Sequence, residues 1–194
     1  MASRRVKAIR RPDWDLALPG LSLLTAFITL LPGQTQQWLR YERSLIESGE
    51  LWRLLTAHLT HLNWSHLLLN LLTLWLIRLL FPRSPTLQPI SFLWLALATS
   101  CGLFVLNPDL QWYLGLSGVL HGYLAWVALH LLRHAQSGGG LLAALLLGKL
   151  GWEQLLGPMP GSEAMISANV VVDAHLYGSI AGALLWAAQP KTIE

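Results

Sequence analysis

Read for apolar and polar positions, the chain divides into six apolar stretches separated by polar, turn-rich connections. They cover residues 16–31, 66 to about 80, 89–106, 114–132, 141 to about 156, and 174–188. Each reads as a helical membrane span. The fifth is the shortest, reaching only about 24 Å at 1.5 Å per residue. It also carries Gly148, Lys149 and Gly151, so a locally thinned bilayer or a tilted helix is expected there. Between the first two stretches, Leu51, Trp52, Leu54, Leu55, His58, Leu59 and Leu62 recur at helical spacing. That spacing predicts an amphipathic helix lying in the outer interface. Residues 107–113 and 157–173 read as loops.

Composition agrees with the pattern. Of 194 residues, 54% are hydrophobic and only 12% charged, with a mean hydropathy of +0.47. This is enough chain for one domain, and its apolar excess makes that domain a membrane one. Trp14, Trp64, Trp112 and Trp152 fall near segment ends, where indole rings favour the lipid–water boundary. The expected organisation is a cytoplasmic basic tail over residues 1–15, an all-α membrane domain over 16–188 and a short cytoplasmic tail over 189–194.

Charge orients the chain. Arg4, Arg5, Lys7, Arg10 and Arg11 precede the first span, and Arg78, Arg83, Arg133 and Lys191 fall at span ends or connections on the same side. By the positive-inside rule that side is cytoplasmic, with both termini there. Most acids, Glu42, Glu47, Glu50, Asp109, Glu153, Glu163 and Asp173, fall on the outer side. The net charge of +3 is concentrated in the basic N-terminus and is no nucleic-acid signature. A single cysteine, Cys101, excludes an intrachain disulfide.

Ionisable and amide side chains inside spans are costly, which makes them functional candidates. Ser117 opens the fourth span within Gly115-Leu116-Ser117-Gly118-Val119-Leu120-His121-Gly122. There the unpaired amides of a helix N-terminus stabilise negative charge. His121 follows at i+4 on the same face. His66 and Asn70 share one face of the second span, and His175 opens the sixth, with Gly178 and Gly182 along its face. The second, fourth and sixth spans all run inward, so His66, Ser117 and His175 share one depth below the outer interface. A serine hydroxyl needs a base to become a nucleophile, and histidine is the suitable one. Gly118 and Gly122 facing Gly178 and Gly182 would let the two backbones approach closely enough. His66 and Asn70 are then available as oxyanion donors beside the Ser117 N–H. The alternatives are structural: the glycines as a packing seam, His66 and Asn70 as interhelical glue, and His175 as a satisfied interfacial histidine.

These residues resemble the rhomboid family of intramembrane serine proteases. His66-Leu67-Leu68-Leu69-Asn70 is similar to its H-x-x-x-N, Gly115-Leu116-Ser117-Gly118 to its G-x-S-G, and Ala174-His175-Leu176-Tyr177-Gly178 to its A-H-x-x-G; Trp52-Arg53 is similar to a pair in its first outer loop. The resemblance implies a six-transmembrane-helix bundle with a Ser117–His175 dyad and no third acid, and His66 and Asn70 as oxyanion donors. It also implies substrate access from the lipid beside the fifth span, and no cofactor. One departure is His121, where many bacterial members carry an aromatic residue stacked on the catalytic histidine. Ser-Gly-x-x-His-Gly in so short a chain resembles the rhombosortase branch. That implies membrane-anchored substrates with a C-terminal Gly-Gly-type tail, cleaved at the outer face of a bacterial inner membrane, with an amine acceptor for the new C-terminus. In that setting His121 would stack on His175 or shuttle a proton.

Other groups read as structural. His58 and His61, close to His66, invite a metal, but no H-E-x-x-H and no suitable carboxylate accompany them, and no metal is expected. Asp173 lies two residues before His175, and so points elsewhere on a helix. It reads as a cap or loop charge. Lys149 reads as a side chain snorkelling to the outer interface.

Overall fold

The computed structural model describes residues 16–190; the basic tail over 1–15 and the last four residues of the C-terminal tail, Lys191 among them, lie outside the described residues. Six long helices form the bundle: α1 (Ala17–Leu30), α5 (Trp64–Leu80), α6 (Pro89–Leu106), α7 (Ser117–Arg133), α8 (Gly139–Leu156) and α10 (Val172–Ala187). Between α1 and α5 run α2 (Gly33–Leu39), β1 (Tyr41–Glu42), α3 (Arg43–Glu47), α4 (Arg53–Thr56) and a 3-10 turn (Ala57–Leu59). The strand β2 (Trp112–Tyr113) and the short α9 (Ser162–Ile166) complete the chain.

The molecule is an all-α membrane protein apart from one two-stranded ribbon. Its outside is apolar: Leu23, Phe27, Leu72, Leu79, Ile90, Val105, Leu145 and Leu155 are all exposed. Its inside holds Thr25, His66, Asn70, Thr99, Ser100, His121, Glu153 and His175. Water would reverse that distribution, whereas hydrocarbon rewards it. By length and composition, Pro89–Leu106 meets the requirement for crossing a membrane among the described residues, and Ala17–Leu30 and Trp64–Leu80 are shorter apolar helices.

Helix α7 is the axis. It is buried on most of its circumference, from Gly118 to Leu131, and pairs most extensively with α10. Glycine makes that pairing possible. A methyl group on Gly178 would overlap the carbonyl oxygen of Gly118, and one on Gly182 would overlap that of Gly122. From the other side, a methyl on Gly122 would come within 2.6 Å of the Gly178 oxygen. The two backbones are therefore in direct contact over two turns, closer than any larger residue permits. Helix α6 packs against both, and Trp94 Nε1 donates to the Ala181 carbonyl at 3.0 Å. At the far end the Arg133 guanidinium lies 3.9 Å from the Trp186 ring centroid.

The segment between α1 and α5 differs from the amphipathic helix expected over residues 51–62. Within residues 51–62 helical structure is limited to α4 and the 3-10 turn, and polar side chains turn inward. Arg53, 3% exposed, donates to the carbonyls of Gln37 (2.7 Å) and Arg40 (2.9 Å) and pairs with Glu50 at 2.7 Å. Arg43 donates to the carbonyls of Phe104, Asn107 and Leu110, satisfying free carbonyls at and just beyond the end of α6. β1 pairs antiparallel with β2, Tyr41 opposite Tyr113, tying this segment to the loop just before Ser117. His58 is fully buried and bonded through Nε2 to Ser100 Oγ at 2.9 Å.

Two predictions follow from this packing. Gly178→Ala forces a methyl group into a backbone oxygen that cannot yield, which costs about 3 kcal/mol. For a chain of this size the thermal midpoint should fall by roughly 6–12 °C, whereas Gly148→Ala, with nothing within 4 Å, should leave it unchanged or raise it. Differential scanning fluorimetry in detergent measures both. The second concerns acid. Burial pushes His58 down from 6.5 to about 4, so between those values the unfolded chain binds the extra proton and the folded one does not. Stability should therefore fall as pH is lowered from 6.5 towards 4, and a pH series of the same midpoints should be flatter for His58→Gln.

Candidate active site

Three helix N-termini meet at one end of the bundle. Asn63 caps α5, its side chain accepting from the His66 amide at 2.8 Å, and Asn63 Nδ2 donates to the Ile166 carbonyl of α9 at 2.8 Å. Ser117 is the first residue of α7, and His175 lies in the first turn of α10. All three helices thus present their N-terminal ends to a cavity of about 720 Å³, lined by His66, Asn70, Ser117, His121, Glu153 and His175. Residues 158–171 contribute Met159, Met165, Ile166 and Val170 as a partial cover.

Ser117 Oγ and His175 Nε2 are 3.0 Å apart, a distance set by the α7–α10 contact. On the other side of the imidazole, His175 Nδ1 lies 2.9 Å from Glu153 Oε2. A carboxylate accepts only, so Nδ1 carries the proton, and Nε2 is left as an acceptor for the serine hydroxyl. The His121 ring stacks on that of His175, centroids 4.0 Å apart and planes 15° off parallel. His121 Nδ1 donates to the Ser117 carbonyl at 2.7 Å, which holds the ring against its neighbour.

His66 and Asn70 stand across the cavity. Asn70 Nδ2 is buried with no hydrogen-bond partner in the protein, an arrangement that ordinarily costs about 1–3 kcal/mol. Gly115 has φ +123°, a conformation suited to glycine, and a methyl group there would meet the His66 imidazole at 2.7 Å. Its geometry is held by its amide donating to the Ala57 carbonyl (2.9 Å) and by Tyr113 Oη donating to its own carbonyl (2.8 Å).

The structure therefore gathers Ser117, His121, His175, His66 and Asn70 around one cavity, with the four helix glycines in the α7–α10 contact behind it. Two expectations need correction. Glu153 is not a charge at the outer surface: its side chain is 2% exposed and lies on α8 against His175. An acid thus stands where the resemblance implied none. Lys149 does not extend freely to the interface, because its ammonium pairs with Glu153 Oε1 at 2.5 Å. The sequence signal for Glu153 was an ionisable residue within an apolar stretch, masked by a lysine at i−4 that makes it resemble a surface pair. Asp173 accepts from Asn107 Nδ2 at 2.6 Å and serves the β2-side loop rather than His175.

Two rival constellations fail on geometry. His58 and Ser100 form a second serine–histidine pair, but both are fully buried and neither lines the cavity. His121, Glu153 and His175 bring ligand atoms within 4.8 Å of one another. Both nitrogens of His175 are already engaged, however, and two parallel stacked rings do not aim their lone pairs at a common point. Among comparisons with known proteins, the Rhomboid domain family matches residues 48–189. No curated protein matches the chain.

Proposed function

Because the chain belongs to the rhomboid family, we propose that it is an intramembrane serine protease of the rhombosortase type, cleaving membrane-anchored proteins that carry a C-terminal Gly-Gly-type tail. The observation that carries the catalytic part is the 3.0 Å approach of Ser117 Oγ to His175 Nε2 inside a cavity. His175 takes the hydroxyl proton as Oγ attacks the scissile carbonyl. The carbonyl's π electrons move onto oxygen, where His66, Asn70 and the Ser117 N–H hold the oxyanion. Collapse expels the amine of the departing tail, which receives the proton from Nε2, and leaves an acyl-enzyme at Ser117. The family acts on membrane-embedded substrates, and the bilayer is the medium from which they reach the cavity.

The branch assignment rests on His121. It stands four residues after the serine and stacks on His175 at 4.0 Å. Its Nε2 is buried without a partner in the protein. A basic nitrogen in that position suits a site in which an amine, rather than water alone, resolves the acyl-enzyme. The proposed setting is a bacterial inner membrane crossed by six spans, with the interfacial segment over residues 51–62 and the cavity on the outer side and both termini inside.

The test is the intact mass of the new C-terminus of a Gly-Gly-tailed substrate after incubation with the protein in membranes. A C-terminal amine adduct that disappears with Ser117→Ala is expected. A free carboxylate would make the protein an ordinary hydrolysing rhomboid, and no cleavage together with no fluorophosphonate labelling of Ser117 would make it a non-catalytic binder of membrane helices. Within the same assay Asn70→Ala should lower kcat by on the order of 10²–10³-fold, as loss of one oxyanion donor does, with the thermal midpoint little changed.

A further inference from the structure

The geometry points to Glu153 as the third member of a Ser117–His175–Glu153 triad, a positioning residue that holds the tautomer and orientation of His175 and stabilises the imidazolium formed during attack. The inference rests on the Ser117–His175 reading above and extends it to a residue on a third helix.

Burial is the first argument. A glutamate at i+4 from a lysine usually belongs to a solvated pair contributing a few tenths of a kcal/mol. Here the two partners are unequal: the Lys149 side chain is 34% exposed and that of Glu153 only 2%. A carboxylate out of solvent is expensive unless each oxygen is engaged. Glu153 Oε1 accepts from Lys149 Nζ and Oε2 from His175 Nδ1 at 2.9 Å. Had the glutamate served only to pair with the lysine, an outward rotamer would have satisfied both in the interface. It turns inward, to the one histidine nitrogen not facing Ser117.

Charge is the second argument. Before attack the row reads ammonium, carboxylate, neutral imidazole, neutral hydroxyl. When the Oγ proton passes to Nε2, it reads ammonium, carboxylate, imidazolium, oxyanion, in alternating sign. Each charge that appears is next to its opposite, in a setting where such interactions are poorly screened. The proton that moves is the one on Oγ. The Nδ1 proton stays on nitrogen and donates to Glu153 throughout, so the carboxylate remains ionised. Lys149 favours that by stabilising the anion. On collapse, Nε2 returns its proton to the departing amine and the row regains its starting charges. The His121 ring on one face of His175 opposes the ring rotation that would break both hydrogen bonds.

The charged or titratable groups facing His175 are Glu153 and Lys149 from α8, His121 from α7 and His66 from α5. Of these, Glu153 alone supplies a negative charge. An amide at this position reverses the preference: its NH2 would donate to Nδ1 and leave the proton on Nε2, facing the wrong way. In a Ser-His-Asp protease that change lowers kcat by roughly 10⁴-fold without moving the geometry.

The experiment uses the full chain in lipid nanodiscs, with two readouts: the rate of fluorophosphonate labelling at Ser117, and kcat/KM for a membrane-anchored substrate across pH. Ser117→Ala is the blank. For Glu153→Gln we expect labelling and kcat/KM to fall together by on the order of 10²–10⁴-fold. The acidic limb of the pH profile should move to lower pH, since the imidazolium loses its anionic neighbour, and the thermal midpoint should be retained. Glu153→Asp, which keeps the charge but shortens the reach, should recover part of the loss and restore the limb. Wild-type labelling rates and an unmoved limb in Glu153→Gln would overturn the triad and leave the serine protease standing. A loss that follows the folded fraction alone, equal in Glu153→Gln and Glu153→Asp, would also overturn it, reducing Glu153 to a strut between α8 and α10. A wild-type protein that Ser117→Ala matches in both readouts would remove the protease reading and the triad with it.

Discussion

Everything at the cavity depends on how closely α7 and α10 approach. Ser117 and His175 are one turn or less into their helices, and their side chains are short. Hydrogen-bond distance between them therefore requires the two backbones to touch. Gly118, Gly122, Gly178 and Gly182 provide that contact, each placed so that a single methyl group would strike a neighbouring backbone or side chain. The same contact leaves no room for α7 to rotate, which keeps His121 facing His175 and the Ser117 amide facing the cavity. Position along the bundle is set separately, by the cap at Asn63, by β1 against β2, and by the Arg43 and Arg53 guanidinium groups bound to backbone carbonyls.

The buried polar groups divide into two kinds. Ser100, Thr99, Arg53 and Ser179 have partners and serve the fold. At the cavity the balance differs, because Asn70 Nδ2 and His121 Nε2 lack partners within the protein. In an apolar surrounding such groups are tolerated only where something else compensates, and α7 and α10 are packed tightly enough to carry them. With His66 Nδ1, these unpartnered atoms belong to residues that line the cavity, where charge would develop.

Much of this was legible in the residues. Ser117, His175, His66 and Asn70 were readable because intramembrane polar residues are rare, and because spans that run the same way bring their like ends to one depth. The helix glycines were readable from their i, i+4 spacing. The β1–β2 ribbon was not, since two residues a side leave no periodic trace. Residues 51–62 carried a helical apolar pattern, yet that pattern is blind to an arginine folding inward onto carbonyls, as Arg53 does at the start of α4. Glu153 was hidden by Lys149, because spacing on one helix does not tell which of two paired ions faces the core. Its burial is a property of α8 against α10, and no local pattern encodes that.

Among the long helices around the cavity, α8 has the fewest buried residues, Gly139, Leu146, Leu150 and Glu153. Its apolar anchorage centres on Leu146 and Leu150 against Ala125. Left-handed Gly138 stands before it and Gly157, also at positive φ, after it. Yet it carries the carboxylate on which His175 leans. The position of α8 relative to α10 and the alignment of the imidazole are consequently one coordinate rather than two. A displacement of that helix would withdraw the anion from the histidine, since their 2.9 Å contact is made between two helices. The orientation of the imidazole is thereby a property of the packing between two helices and not of α10 alone.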